Sequence, residues 1–342
     1  MKTKLVTLFL GFIFLFLETT CSTDKNPISI QEKEPDYILK FRQNDYDFIR
    51  NQFFLVNFYY QSHFESNFDS LTMMWKVENM DMWIGQLDVW IRARPNDPDI
   101  RPGWAVVDPN SINPDSLDYL QEISGIQEYV YFRHLDETEY HYDEYRGYFW
   151  LNESADDQDV VAIAYQLING FQEGILFNQL TSPSQTLLLK MIKAQGATPN
   201  YPTWDLTMRN VYNLGAKDIP ASQFDVKVIY TKTGKDITVQ PMGEHKTFNY
   251  LMGLDRLISE NGQPVDGGDG KVDAYNANIF NLPDGLLIFP SLTPFDPTLS
   301  HQFTFDSTLR VDIYNSKDRS RELLQHKFEI QTAILDTSVH PH

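Results

Sequence analysis

The chain has 342 residues, 42% hydrophobic and 14% aromatic, with 47 acidic against 28 basic side chains and a net charge of −19. That length and apolar content suffice for the core of one large domain or two smaller ones and exclude disorder throughout. The negative balance repels phosphate backbones and anionic membrane surfaces, so a nucleic-acid partner is not expected.

Lys2 and Lys4 precede an apolar run over residues 5–17 that is too short to span a bilayer comfortably. Together they read as a secretory signal over 1–21, outside the fold. Cys21 is the only cysteine and directly follows this segment. Two readings of it stay open: acylation of the thiol as a lipoprotein anchor, or an incidental cysteine removed with the signal or left just beyond it. Glu18 and Thr20 depart from the residues that a lipoprotein signal usually carries there, and an A-x-A cleavage site is missing as well. On either reading no disulfide can form within the chain, so stability must come from the core.

Residues 22–34 are polar and read as a linker. The region 35–181 is β-rich, with strand signals at 37–41, 53–60, 73–77 and 83–91. In the last of these, Leu87, Val89 and Ile91 fall on one face, opposite Gln86, Asp88 and Trp90. Aromatic density on an exported chain also fits sugar stacking on Trp83, Trp90 and Trp104, with burial of the same rings as the alternative. A Pro-rich loop at 94–103 leads to a short strand at 104–108, and a helical turn is expected within 115–125.

Residues 133–144 hold two histidines and five carboxylates, the side chains of metal sites and of acid–base catalysis. If the segment is extended, Glu137, Glu139, His141 and Asp143 share one face. A row on one strand is neither a closed ligand set nor a pair of carboxylates across a cleft, which favours a solvated acidic face. Strands at 147–152 and 160–167, joined by the acidic turn 153–159, are expected at the centre of the sheet.

The region 182–335 opens with an apolar run at 187–193 that suits helix or strand. In the run P-T-W-D-L-T-M-R-N-V-Y-N-L-G-A at 202–216, Thr203 can cap a helix, and Trp204, Met208, Val211 and Tyr212 recur on one helical face. Gly215 supplies a left-handed residue after it, so the spacing predicts a helix over 204–214. A strand at 224–230, a turn at 231–236 and a second short helix at 251–258 follow. Residues 265–273 contain D-G-K-V-D, half of a calcium-binding loop. Val265 and Gly267 stand at two ligand positions and Asn276 replaces the bidentate Glu, so Asp266, Asp269 and Asp273 are a calcium candidate set beside the simpler reading of a Gly-rich turn. Strands broken by Pro283 and Pro290, alternation at 309–314 and a frayed tail at 336–342 complete the chain.

The run at 202–216 resembles a motif of the N-terminal module of the SprA family, the outer-membrane translocon of type IX secretion and gliding motility. Four further blocks look like the same module in the family's order: G-Y-F-W-L-N at 147–152, V-V-A-I-A-Y-Q at 160–166, L-M-G-L-D-R-L at 251–257 and L-I-F-P-S-L-T-P-F at 287–295. The resemblance implies that Trp204, Asp205, Asn210, Tyr212 and Gly215 are structural residues of the family motif. It implies a non-catalytic envelope protein, a docking or structural module whose partners are envelope proteins of the secretion and motility machinery. Such a protein is exported and associated with the outer membrane, on its periplasmic or surface face. The family's giant transmembrane barrel has no room in this chain. The alternative is a surface carbohydrate-binding lipoprotein. No G-x-S-x-G, H-E-x-x-H or P-loop points to an enzyme, and no cofactor is expected beyond the calcium candidate. The fold expected is mainly β, of the α+β class, with antiparallel strands in sandwich-like layers and a few short helices.

Overall fold

The computed structural model describes residues 37–76, 79–232, 235–239, 245–259, 261–296, 313–317 and 328–336. The signal segment with Cys21, the linker, most of the 309–314 alternation and the tail beyond 336 lie outside the described residues. In chain order the strands are β1 (Tyr37–Asn44), β2 (Phe53–Leu55), β3 (Phe68–Asp69), β4 (Met74–Trp75), β5 (Ile84–Arg92), β6 (Arg101–Val106), β7 (Gln127–His134), β8 (Tyr140–Asp143) and β9 (Tyr148–Leu151). Then come β10 (Val161–Leu167), β11 (Gln172–Glu173), β12 (Leu187–Lys193), β13 (Val211–Asn213), β14 (Phe224–Lys232), β15 (Lys235–Ile237), β16 (Phe280–Asn281), β17 (Leu286–Ile288) and β18 (Phe328–Leu335). Among the described residues two short α-helices interrupt them, α1 (Phe58–His63), capped by Asn57, and α2 (Phe248–Leu251), capped by Thr247. The fold is mainly β, as composition and periodicity predict.

Five strands close on themselves. β5 pairs with β7, β7 with β6, β6 with β12, β12 with β10, and β10 returns to β5 from Val161↔Ile91 to Leu167↔Ile84. The β6–β12 contact is parallel and the others are antiparallel. A closed barrel leaves no free sheet edge on its wall. Its interior is one hydrophobic cluster that includes Trp90, Ala105, Phe132, Ala162, Ala164 and Leu189. Gly103 permits the parallel contact, since a Cβ there would stand 2.6 Å from the Leu187 Cβ. Along β10 the alternation is strict: Ala162 and Ala164 enter the barrel, while Val161, Ile163, Tyr165 and Leu167 join a second cluster outside it. On β10 small residues face the barrel and large ones the outside, which is why residues 161–165 read as an unbroken apolar run.

That second cluster lies between the barrel and a three-stranded sheet ordered β2-β9-β8, and contains Phe53, Phe54, Tyr148 and Phe149. Strands at 147–152 and 160–167 are present as read, but they do not pair with each other: β9 belongs to the small sheet and β10 to the barrel. A third cluster is covered by a four-stranded antiparallel sheet ordered β1-β18-β14-β15. Val226, Val228 and Tyr230 point into it from β14, and Phe328 and Ile330 from β18. In that sheet the first and last described strands are neighbours, with Tyr37 opposite Leu335. The described residues belong to one compact unit, and β12, from beyond residue 182, completes the barrel begun by β5–β7.

The helix expected over 204–214 is not formed. Pro202–Leu206 is a single 3-10 turn, and β13 follows as a strand paired with β17 from Val211↔Ile288 to Asn213↔Leu286. Eleven residues that include Asp205, Thr207, Asn210, Val211 and Asn213 make a marginal helix. As an extended segment the same sequence places Leu206, Met208, Asn210, Tyr212 and Leu214 on one face, all buried, with Arg209 and Val211 buried on the other, and pairing with β17 selects that period. Gly215 is left-handed as predicted, at φ 84°, but it ends a strand. The second helix is displaced: α2 occupies Phe248–Leu251, and residues 252–258 are turn and loop. The strand read at 53–60 ends at Leu55, where Asn57 accepts the Tyr60 N–H and starts α1.

Candidate functional site

Residues 202–216 form the seam between two cores. Val211 and Tyr212 are consecutive, yet Val211 packs in the cluster beside the barrel and Tyr212 in the cluster under the four-stranded sheet. On the partner strand Leu287 and Ile288 divide in the same way. The Tyr212 hydroxyl donates to the Asp45 carbonyl at 2.6 Å, and its ring meets Phe48, Phe289 and Phe295 edge-on. Asn210 is fully buried; its Nδ2 donates to the Phe289 carbonyl at 2.7 Å, and its Oδ1 has no hydrogen-bond partner among the described residues. Trp204, half-buried, donates from Nε1 to the Tyr314 carbonyl at 3.0 Å, with the Arg209 guanidinium 4.0 Å from its ring. A Cβ on Gly215 would lie 2.6 Å from the Phe41 ring. Asp205 and Gly215 are the exposed members of the five.

The segment 133–144 does not present a row of ligands. The segment is the end of β7, a turn over residues 136–139 and then β8, so Glu139 folds back and accepts from Arg133 Nη1 at 2.9 and 2.7 Å. The arginine holds the Glu139 carboxyl below its ordinary range. Asp143 accepts from the Arg146 backbone at 2.7 Å and its Nε at 2.8 Å, closing the turn before β9. The shared face of Glu137, Glu139, His141 and Asp143 is therefore broken by local hydrogen bonding. Instead, His134 and His141 stand at a groove of about 1160 Å³ between the barrel mouth and β8. Its lining also takes in Gln86 and Asp88 of β5 and Phe177 and Asn178, which the sequence does not mark as site residues. Phe177 stacks on His134 with centroids 4.4 Å apart and planes at 4°, and Asp88, 7% exposed, accepts the Phe177 N–H at 2.8 Å. His134 Nε2 and Asp88 Oδ1 are 3.6 Å apart.

The loop 265–273 is held by carboxylates turned onto its own backbone. Asp255 accepts the N–H groups of Asp269 and Gly270 at 2.9 and 3.1 Å, and Asp273 those of Arg256 and Leu257 at 2.9 and 3.3 Å. Asp269 accepts from Ser259, and Asp266 from Lys246 and the Tyr250 hydroxyl, both at 2.8 Å. Burial, with help from Asp255 and Asp269, pushes Asp273 up to about 6. No group of three or more His, Cys, Asp or Glu among the described residues is arranged to hold a metal ion, so Asp266, Asp269 and Asp273 are not brought together as a ligand set. Asp255, outside the motif, is the residue that shapes the loop. Gly268, at φ 78°, leaves it room, since a Cβ there would be 2.4 Å from the Asp255 carboxyl carbon.

Of the tryptophans read as a stacking platform, Trp90 is 0% and Trp104 6% exposed, and Trp83 is half-buried against Tyr145. Trp90 fills the barrel and Trp104 packs with Val106, Leu117 and Leu188, so these rings make no open surface. Two buried lysines also went unread. Lys190 donates to Glu173 at 2.8 Å, Tyr165 donates to the same carboxylate, and Asn57 donates to the Tyr165 hydroxyl at 2.7 Å. Lys193 donates to the carbonyls of Asp156, Asp157 and Asp159 at 2.7 to 3.0 Å, and burial lowers its pKa to about 8. The signal was present: a lysine inside an apolar strand with both faces covered needs a partner.

The chain matches no model of a known protein family, and no curated protein is recognisably similar to it. No helix among the described residues is long and apolar enough to cross a membrane.

Proposed function

We propose that this chain is a non-catalytic cell-envelope protein related to the type IX secretion and gliding machinery, whose SprA-like module acts as a docking scaffold. The observation that carries the reading is the seam: the run most like the family, 202–216, is built into the wall between two cores, with Tyr212 and Asn210 fully buried. Residues held for such a purpose keep a surface in shape rather than react. The block at 147–152 supports the same view, since Gly147 lies at φ 68° where a Cβ would meet the Tyr60 ring at 2.2 Å. The engagement of Glu139 and Asp143 by arginines favours the non-catalytic reading as well. The proposal places the protein outside the inner membrane, associated with the outer membrane through an acyl group on Cys21 or through its partners.

The test is recovery of partners. Tagged protein purified from detergent-solubilised envelopes co-purifies with translocon subunits, and deletion of the gene impairs secretion or surface spreading. Purification without those subunits, together with intact secretion and spreading in the deletion strain, would refute the docking role.

A further inference from the structure

The groove at the barrel mouth is not used by the seam and has a chemistry of its own. One wall is aromatic on the barrel side: Phe177 is 42% exposed, backed by the stacked His134 ring, with the Arg101 guanidinium 5.6 Å from its centroid. The groove is also lined by the cross-strand pair His141 and Trp150, with centroids 5.4 Å apart. Planar amides and a carboxylate belong to the same lining. Asn178 Nδ2 donates to Gln86 Oε1 at 3.3 Å, and Gln86 Nε2 donates to Asp88 at 3.4 Å, long contacts that a ligand hydroxyl can replace. The volume of about 1160 Å³ exceeds the roughly 300–1000 Å³ of a small-molecule pocket, which suits an oligomer.

We infer that this groove binds an oligosaccharide. Pyranose rings carry an apolar face that stacks on aromatic side chains and a rim of hydroxyls that both donate and accept. A groove lined by aromatic rings together with amide and carboxylate groups answers both requirements. An extended peptide fits less well. It would add as a strand to β5, but on the groove side the Leu87 and Val89 carbonyls already accept from the Tyr140 hydroxyl and the Leu135 N–H, at 2.7 and 2.9 Å. This inference is independent of the docking role, and either can fail without the other.

The protein without its signal is titrated with chitohexaose, maltohexaose and cellohexaose by calorimetry and protein-observed NMR. At least one sugar is expected to bind with a Kd below about 1 mM, and Phe177→Ala and Gln86→Ala each to weaken it by about tenfold or more. Tyr119→Ala, on an exposed turn elsewhere, should leave the affinity unchanged, and unaltered urea midpoints should show that the groove variants fold. Absence of binding by all three sugars at about 10 mM overturns the inference. So does binding that both groove variants retain, or binding of hexalysine, in place of the sugars, that Phe177→Ala abolishes.

Discussion

Replacing Glu173 by Gln removes one charge from a buried pair while leaving its shape. The side chains of Lys190 and Glu173 are 4% and 9% exposed, and their charged atoms are 2.8 Å apart. At that distance, with an effective dielectric near 20, the attraction is about 6 kcal/mol. The Val107 carbonyl, 3.2 Å from Lys190 Nζ, and local relaxation recover part of it. The remaining loss is about 3 kcal/mol, in line with breaking a buried pair by removing one partner. The double variant Lys190→Met/Glu173→Leu removes both charges and should return to within about 1 kcal/mol of the parent. Urea unfolding followed by tryptophan fluorescence and circular dichroism gives the free energies, provided the slope is unchanged. A Glu173→Gln protein within about 0.5 kcal/mol of the parent would refute the reasoning, because the pair would then contribute little to the folded state.

Two glycines give a matched comparison: Gly147→Ala meets both a left-handed backbone and the Tyr60 ring and should cost about 3 kcal/mol or more in urea unfolding. Gly170→Ala, at φ 86° with nothing within 4 Å, should cost only about 1 kcal/mol. Asp273, raised to about 6 when folded, binds its proton more tightly in the folded state. Its stabilising contribution is therefore present below about pH 4 and lost as the pH rises through about 6, on the order of 1 kcal/mol after allowing for its partial exposure. Amide exchange at residues 254–273 should quicken across that interval beyond its intrinsic pH dependence, and Asp273→Asn should remove the excess.

The strands were legible where alternation was long. β14 keeps period two from Phe224 to Val228, and β10 is apolar enough to announce burial on both faces, whereas the run that forms β12 suits a helix as well as a strand until its pairings are known. The seam was misread because in eleven residues the two periods share Met208 and Tyr212, and only the β17 partner, more than seventy positions away, separates them. Closure of the barrel was hidden for the same reason: β5 meets β10 and β6 meets β12 across long separations that no local pattern encodes. Half of the groove was visible in the histidines of 133–144. The other half, Gln86, Asp88 and Phe177, carries no motif and becomes a wall only through the strand pairings and the Asp88 hydrogen bond that fixes Phe177.

The pairing of β1 with β18 has a mechanical side. Because Tyr37 faces Leu335, the polypeptide enters and leaves this module at nearly one spot on its surface. A host protein could accommodate it inside a loop without spreading its own flanking segments. Tension applied across those two residues would open the β1–β18 ladder rung by rung, leaving the barrel and its groove unstrained until the zipper had run out.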